Sequence, residues 1–142
     1  MEFKKILMPV TGTEVDNEAM RLACRLGKKD KAKVWVVYVI TIKRSLPIDA
    51  EIEAETKKAE DILDRIASLA AEEDYEIETD LLQAREAGPA IVDEAVERGV
   101  DLILMGVPYK RSFGQFSLGT VVPYVLINAP CRVILYHEGA KS

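Results

Sequence analysis

The sequence predicts an α/β protein with a doubly wound, parallel five-stranded sheet and helices on both of its faces. Five apolar segments of strand length alternate with four segments in which apolar residues recur at helical spacing. Alternation of this kind is typical of parallel sheets joined by right-handed crossovers. The segment 33–40 is an almost unbroken run of β-branched and aromatic residues, which indicates a central strand buried on both faces.

The composition narrows the class of protein. The 142 residues suit one domain, 1–142, and 49% apolar with 30% charged residues is ordinary for a soluble globular chain. The net charge of −5 argues against a nucleic-acid binder, for which a basic face is expected.

No apolar run approaches the ~20 residues of a membrane span and the N-terminus has no signal-peptide core, so we expect a cytoplasmic protein without membrane insertion. Cys24 and Cys131 are expected to be reduced thiols.

The first half of the chain predicts two strands and two helices. Pro9 marks the exit of the first strand, and the following turn offers Thr13 as a helix N-cap, with Asp16 three positions later. The loop after the second strand is long enough to form a lid or an irregular flap. In order, the predicted elements are strand 3–10, a helix that Gly27 ends, strand 33–40, loop 41–52 and helix 53–74.

The second half predicts three strands and two helices. An alternating strand at 76–83 is expected nearer to the sheet edge, and a helix begins at Gly88-Pro89, where proline suits the first turn. The predicted apolar stripe of this helix consists of Ile91, Val92, Ala95 and Val96, and Gly99 ends it. The remaining elements are strand 102–105 stopping at Gly106, a loop with Lys110, Arg111 and Gly114, a helix opened by Gly119-Thr120, and strand 131–136. The predicted strand order is 3-2-1-4-5.

A ligand site is predicted at the carboxyl edge of this sheet. Ligands of doubly wound proteins bind outside the carboxyl ends of the strands, where the winding reverses. If strands one and four are neighbours, the turn at 9–13 faces Gly106 across that crevice. Gly119-Thr120 would stand at a helix N-terminus, whose N–H groups stabilise negative charge, although a simple helix start is also consistent with these residues. Lys110 and Arg111 are either phosphate contacts or part of a solvated loop.

Over its whole length the chain resembles a universal stress protein domain. The closing segment, Ala129-Pro130-Cys131-Arg132-Val133-Ile134, carries part of the resemblance. The ATP-binding branch of that family has Gly, two residues, Gly, nine residues, Gly, and then Ser or Thr. Gly106 matches the first glycine and Gly119-Thr120 match the end of this motif, whereas Tyr109 replaces the second glycine. Thr11 stands where the family commonly has an acidic residue.

The resemblance implies a site for ATP or a related adenine nucleotide. Val39 and Met105 would flank the adenine, and Gly119 and Thr120 would hold the phosphates. Tyr109 would either cover the phosphates or fill the site. The implied nucleotide-binding residues are Pro9, Val10, Thr11, Val39, Met105, Gly106, Tyr109, Gly119, Thr120 and Val121, with Lys110 and Arg111 as further phosphate contacts. No metal ligand and no catalytic residue is predicted.

The resulting hypothesis is a cytoplasmic stress-response regulator in which a bound nucleotide biases a loop conformation, chiefly at 41–52 and 107–117. One alternative is a protein-interaction module of the same fold that binds no nucleotide. Another is a weak ATPase, although the sequence carries no catalytic motif. The resemblance also implies a homodimer through the last strand, Arg132–His137, whose apolar edge needs a cover.

Overall fold

The computed structural model describes residues 2–109, 111–112, 115–116 and 119–139, and only the backbone of 111–112 and 115–116. Among the described residues, no helix combines the length and the apolar character that crossing a membrane requires. The strands are β1 (Lys5–Pro9), β2 (Lys33–Thr41), β3 (Glu78–Ala84), β4 (Leu102–Val107), β5 (Arg111–Ser112), β6 (Gln115–Phe116) and β7 (Arg132–His137). The helices are α1 (Val15–Asp30), α2 (Glu53–Glu72), α3 (Ala87–Arg98) and α4 (Val121–Asn128).

Five strands form one parallel sheet in the order β3-β2-β1-β4-β7. Counted along the chain without the short β5 and β6, this is the predicted order 3-2-1-4-5, so the predicted fold class is confirmed. In the centre of the sheet, Leu7 of β1 pairs with Trp35 of β2 on one side and with Ile103 of β4 on the other. The winding reverses beside β1, and this places the carboxyl ends of β1 and β4 next to each other.

Helices cover both faces of the sheet because successive strand residues point in opposite directions. Ile6 and Met8 belong to a cluster with residues of α1 and α2, including the fully buried Met20 and Ile66. Leu7 points to the other face, into a cluster with residues of α3 and α4. The two cores therefore meet at β1, whose residues 6–9 are all buried.

The ends of α1 differ from the prediction. The helix does not stop at Gly27 but continues to Asp30, with Lys31 in the left-handed conformation (φ 54°) as its C-cap. The reason for Gly27 is packing, since a Cβ atom there would lie 2.6 Å from the hydroxyl of Tyr75. At the other end, Glu14 precedes the first helical residue and no side chain caps the helix, so the prediction of Thr13 as the N-cap was wrong.

Two further predictions need correction. Val96, assigned to the buried stripe of α3, has 61% of its surface exposed, because α3 buries a narrower face than predicted. The loop after β4 begins later than expected, since Gly106 and Val107 still pair with β7, and β5 and β6 within that loop form a small antiparallel pair. Gly114 lies outside the described residues.

The 41–52 segment, whose length was expected to allow a lid or an irregular flap, begins with Thr41 at the end of β2 and is tied to the end of β3 by side-chain hydrogen bonds. The guanidinium of Arg85 donates to the carbonyl oxygens of Ile42, Lys43 and Leu46. The amide group of Gln83 donates to the carbonyl oxygens of residues 48 and 50, at 2.9 and 3.0 Å. Opening this segment would break these bonds, so in the described structure it is an anchored loop.

Candidate functional site

A cavity of about 480 Å³ opens at the carboxyl edge of the sheet, outside the ends of β1, β2 and β4. Its volume is within the usual range for sites that bind small molecules. The start of α3 and the start of α4 close two of its sides. Its lining consists of Pro9, Val10, Thr11, Thr13, Tyr38, Val39, Ala87, Ile91, Met105, Gly106, Val107, Pro108, Gly119, Thr120, Val121 and Val122.

The cavity brings together nine of the ten residues predicted to bind a nucleotide; Tyr109 is the exception. The ring of Tyr109 instead faces His137, with the two ring centroids 6.3 Å apart and the ring planes inclined by 43°. It therefore does not fill the space between Gly106 and Gly119. Of the two proposed phosphate contacts, Lys110 lies outside the described residues, and only the backbone of Arg111 is described, within β5.

Different structural constraints explain why glycine occupies each of the two matched positions of the motif. Gly119 has a φ of +71°, a conformation that favours glycine, and a Cβ atom there would meet nothing within 4 Å. Gly106 is not among the glycines with positive φ; a Cβ atom there would lie 3.3 Å from the side chains of Ala19 and Val15. The close approach of α1 to β4 therefore explains Gly106, whereas the positive φ of its own backbone explains Gly119.

Several lining residues were not predicted. Tyr38 of β2 borders the cavity, and Ala87 and Ile91 enter it from α3. Val107, Pro108 and Val122 complete this group, and Thr13 belongs to the turn at 9–13 that was predicted to face Gly106. Val107, Pro108 and Val122 adjoin predicted residues in sequence, so a wider window around those residues would have included them. The α3 residues carry no such signal, because their proximity depends on how α3 packs on the sheet.

The described lining residues carry no ionisable acid or base apart from the phenol of Tyr38. Their other polar side chains are the hydroxyls of Thr11, Thr13 and Thr120. Thr11 and Thr13 lie side by side, with their hydroxyl oxygens 3.4 Å apart. The site is thus an apolar slot with a hydroxyl pair on the β1 side and a helix N-terminus on the α4 side. Such a slot suits a ligand that combines a flat apolar ring with sugar hydroxyls and an anion.

The model of the universal stress protein family matches residues 2–137. The chain belongs to the universal stress protein family. Universal stress protein MJ0531 of Methanocaldococcus jannaschii is 29% identical over 99% of this chain and 85% of its own length.

Two solved family members show the same fold. The universal stress protein from Archaeoglobus fulgidus in complex with dAMP has a TM-score of 0.76 and 22% identity, covering 95% of this chain and 98% of that one. A family member from Arabidopsis thaliana with AMP bound has a TM-score of 0.67 and 15% identity, covering 96% and 93%.

One carboxylate lies directly behind the cavity of this universal stress protein. Asp16, in the first turn of α1, is only 1% exposed. Its Oδ2 atom accepts hydrogen bonds from the backbone N–H groups of Gly12, at 2.7 Å, and Thr11, at 3.2 Å. Burial raises the pKa of Asp16 above its ordinary value of 3.8, and these N–H groups, together with the charge of Arg65, offset part of that effect. Asp16 was predicted from the sequence only as part of a helix start.

Another cavity, of about 350 Å³, lies between β3 and α3. Arg44, Arg85, Asp93 and Glu94 are among its lining residues. Arg85 already uses its guanidinium to bind the carbonyl oxygens of the 41–52 segment. The lining of this cavity therefore differs from that of the first, because it contains side chains of opposite charge. One of these, Arg85, already has a structural role.

The raised pKa of Asp16 predicts a specific pH dependence of stability. The folded chain binds the Asp16 proton more tightly than the unfolded chain, so the free energy of unfolding falls as the pH rises from near 3.8 through the folded pKa. Urea unfolding at a series of pH values would measure this against Asp16→Asn, which lacks the titrating group. We expect the wild-type chain to lose stability relative to the variant as the pH rises through this window. A relative gain over the same window would contradict the assignment.

Proposed function

We propose that the cavity binds an adenine nucleotide and that the protein is a cytoplasmic stress-response regulator controlled by this ligand. The observation that carries the proposal is the convergence of nine predicted contact residues on one cavity at the carboxyl edge of the sheet. Two solved relatives with the same fold were obtained with dAMP and with AMP, which supports an adenine nucleotide as the ligand class.

The adenine is proposed to lie between Val39 and Met105. Met105 is only 6% exposed, and the aliphatic side chains of Ile91 and Val122 lie beside it in the same cluster. A flat base in such a slot would exchange water contacts for dispersion contacts with apolar atoms. The polarisable thioether of Met105 can adapt to the face of an aromatic ring.

The phosphate is proposed to lie against the first turn of α4. The initial N–H groups of a helix have no acceptor within the helix, and the helix dipole favours negative charge there. Within the described residues, no side-chain hydrogen bond caps α4, so the hydroxyl of Thr120 can turn to the ligand. Lys110 and Arg111 follow β4 and would add positive charge to a di- or triphosphate. ATP therefore remains within the proposed ligand class, and AMP is the minimal probe of the site.

The position of Tyr109 bears on the alternative of a ligand-free interaction module. That alternative supposed that the tyrosine ring occupies the pocket. The ring lies beside His137 and does not line the cavity, so the space stays open to a ligand. The geometry thus favours nucleotide binding over the module.

Substitutions at Gly119 test the phosphate position. Asp and Asn have nearly the same shape, and both tolerate a positive φ better than most residues do. Gly119→Asp places a negative charge against the phosphate, so we expect it to reduce AMP affinity by at least tenfold relative to Gly119→Asn. Isothermal titration calorimetry of AMP against the wild-type chain and both variants would measure the difference. Equal affinities of the two variants would show that no phosphate lies beside Gly119.

We further propose a homodimer through β7. This strand is at one end of the sheet, and in the described part of the chain no strand pairs with its outer edge. An exposed strand edge is a template for pairing with a second chain. Two apolar residues of α4 close to β7 in sequence are also exposed, Leu126 by 48% and Ile127 by 81%. A second copy of the chain would cover both the edge and these side chains.

Hydrogen exchange at two protein concentrations tests the dimer. Amides of β7 that do not bond to β4 are protected only when a second chain pairs with them, so we expect their exchange to accelerate on dilution. Strand β3, at the opposite end of the sheet, is the internal control and should exchange at an unchanged rate. Concentration-independent exchange in β7, with a sedimentation mass near 15.8 kDa, would rule the dimer out.

A further inference from the structure

Asp16 is a buried carboxylate, and no described side chain of opposite charge lies in hydrogen-bond contact with it. Among the described residues it is the only polar or charged side chain classed as buried. Burying a carboxylate is unfavourable unless hydrogen bonds compensate for the lost water. Here the compensation comes from two consecutive backbone N–H groups, those of Thr11 and Gly12. Burial raises the pKa of Asp16, so the folded chain is less stable with Asp16 ionised than with Asp16 protonated.

The two hydrogen bonds fix the turn that borders the cavity. Thr11 and Thr13 flank Gly12, which has a φ of +91° and packs against Ile62. The backbone N–H of Asp16 also donates to the carbonyl oxygen of Thr13, at 3.1 Å. The turn is therefore held through residues 11, 12 and 13 by one residue of α1. The side chains of Thr11 and Thr13 remain on the cavity side, with their hydroxyl oxygens adjacent.

We propose that Asp16 is a positioning residue of the ligand site, which holds the 11–13 turn so that the hydroxyls of Thr11 and Thr13 contact the sugar–phosphate part of the nucleotide. This inference rests on the proposed nucleotide function. On the β1 side, the uncharged hydroxyls of Thr11 and Thr13 would contact the ligand. The nearest carboxylate, that of Asp16, would bind the backbone behind them.

The chain contains a matched control at the opposite end of β1. Asp101 accepts hydrogen bonds from the consecutive N–H groups of Lys4, at 2.9 Å, and Lys5, at 3.2 Å. The same kind of interaction thus holds both ends of one strand, but Asp101 is at the amino edge of the sheet and does not line the cavity. Asp101→Ala removes an equivalent pair of hydrogen bonds without touching the site.

AMP titrations separate positioning from general stability. We expect Asp16→Ala to weaken AMP binding about tenfold, because the hydroxyl pair loses its orientation. Asp16→Asn keeps an oxygen acceptor and should restore most of the affinity. Asp101→Ala should leave AMP affinity unchanged even where urea unfolding shows that it lowers stability. An AMP affinity of Asp16→Ala equal to that of the wild-type chain would overturn the proposal and leave the nucleotide function standing.

A double-mutant cycle shows whether Asp16 acts through the hydroxyls. Thr11→Val/Thr13→Val removes both hydroxyls but keeps the backbone N–H groups that Asp16 binds. In this background Asp16→Ala should cause little further loss of AMP affinity, since the groups it orients are gone. Fully additive losses would show that Asp16 affects binding by another route and would overturn the proposal.

Hydrogen exchange tests without a ligand whether Asp16 holds the turn. The amides of Thr11 and Gly12 should exchange faster in Asp16→Ala than in the wild-type chain, while the amides of β1 stay protected. Unchanged exchange at both positions would overturn the claim that Asp16 holds the turn. If the turn loosens as expected but the wild-type chain binds neither AMP nor ATP, the proposed function fails and the role in the ligand site fails with it.

Discussion

The pairing of β1 between β2 and β4 is the constraint on which the candidate site depends. Pro9, the last residue of β1, lies opposite Val37 of β2, and the N–H of Val10 donates to the carbonyl oxygen of Val37 at 2.9 Å. Because all three strands run parallel, each ends at the same edge, and each delivers its following turn to one crevice. A different strand order would separate the turn at 11–13 from Gly106.

Few polar groups border this apolar crevice in the described part of the chain. The described lining offers hydroxyls and the start of a helix, whereas the nearest carboxylate, that of Asp16, turns away to bind the backbone. The described lining therefore offers neutral hydrogen-bonding groups and no charged side chain. A ligand bound here would be held through shape and helix-end electrostatics more than through pairs of opposite charges.

The features that could be predicted from the sequence are those that depend on apolar periodicity and on the positions of the strand ends. Strand β2 has an unmistakable apolar run, and residues next to strand ends, such as Val39 and Met105, could be assigned to the site because parallel strands end together. The contacts of Gly27 with Tyr75 and of Gly106 with Ala19 could not be predicted, because they depend on how helices pack on the sheet. The same holds for Asp16, whose role requires knowing that the preceding turn folds back over its carboxylate.

We propose above that an adenine nucleotide occupies the cavity at the carboxyl edge. The most direct test is an NMR titration of the isotope-labelled chain with AMP, in which each backbone amide reports on its own surroundings. We expect the amide signals of Thr11, Gly106 and Thr120 to shift together with one dissociation constant, while amide signals at the amino edge, such as that of Lys5, do not move. Saturating AMP that leaves these three amides unmoved, or shifts confined to the cavity beside Arg44 and Arg85, would contradict it.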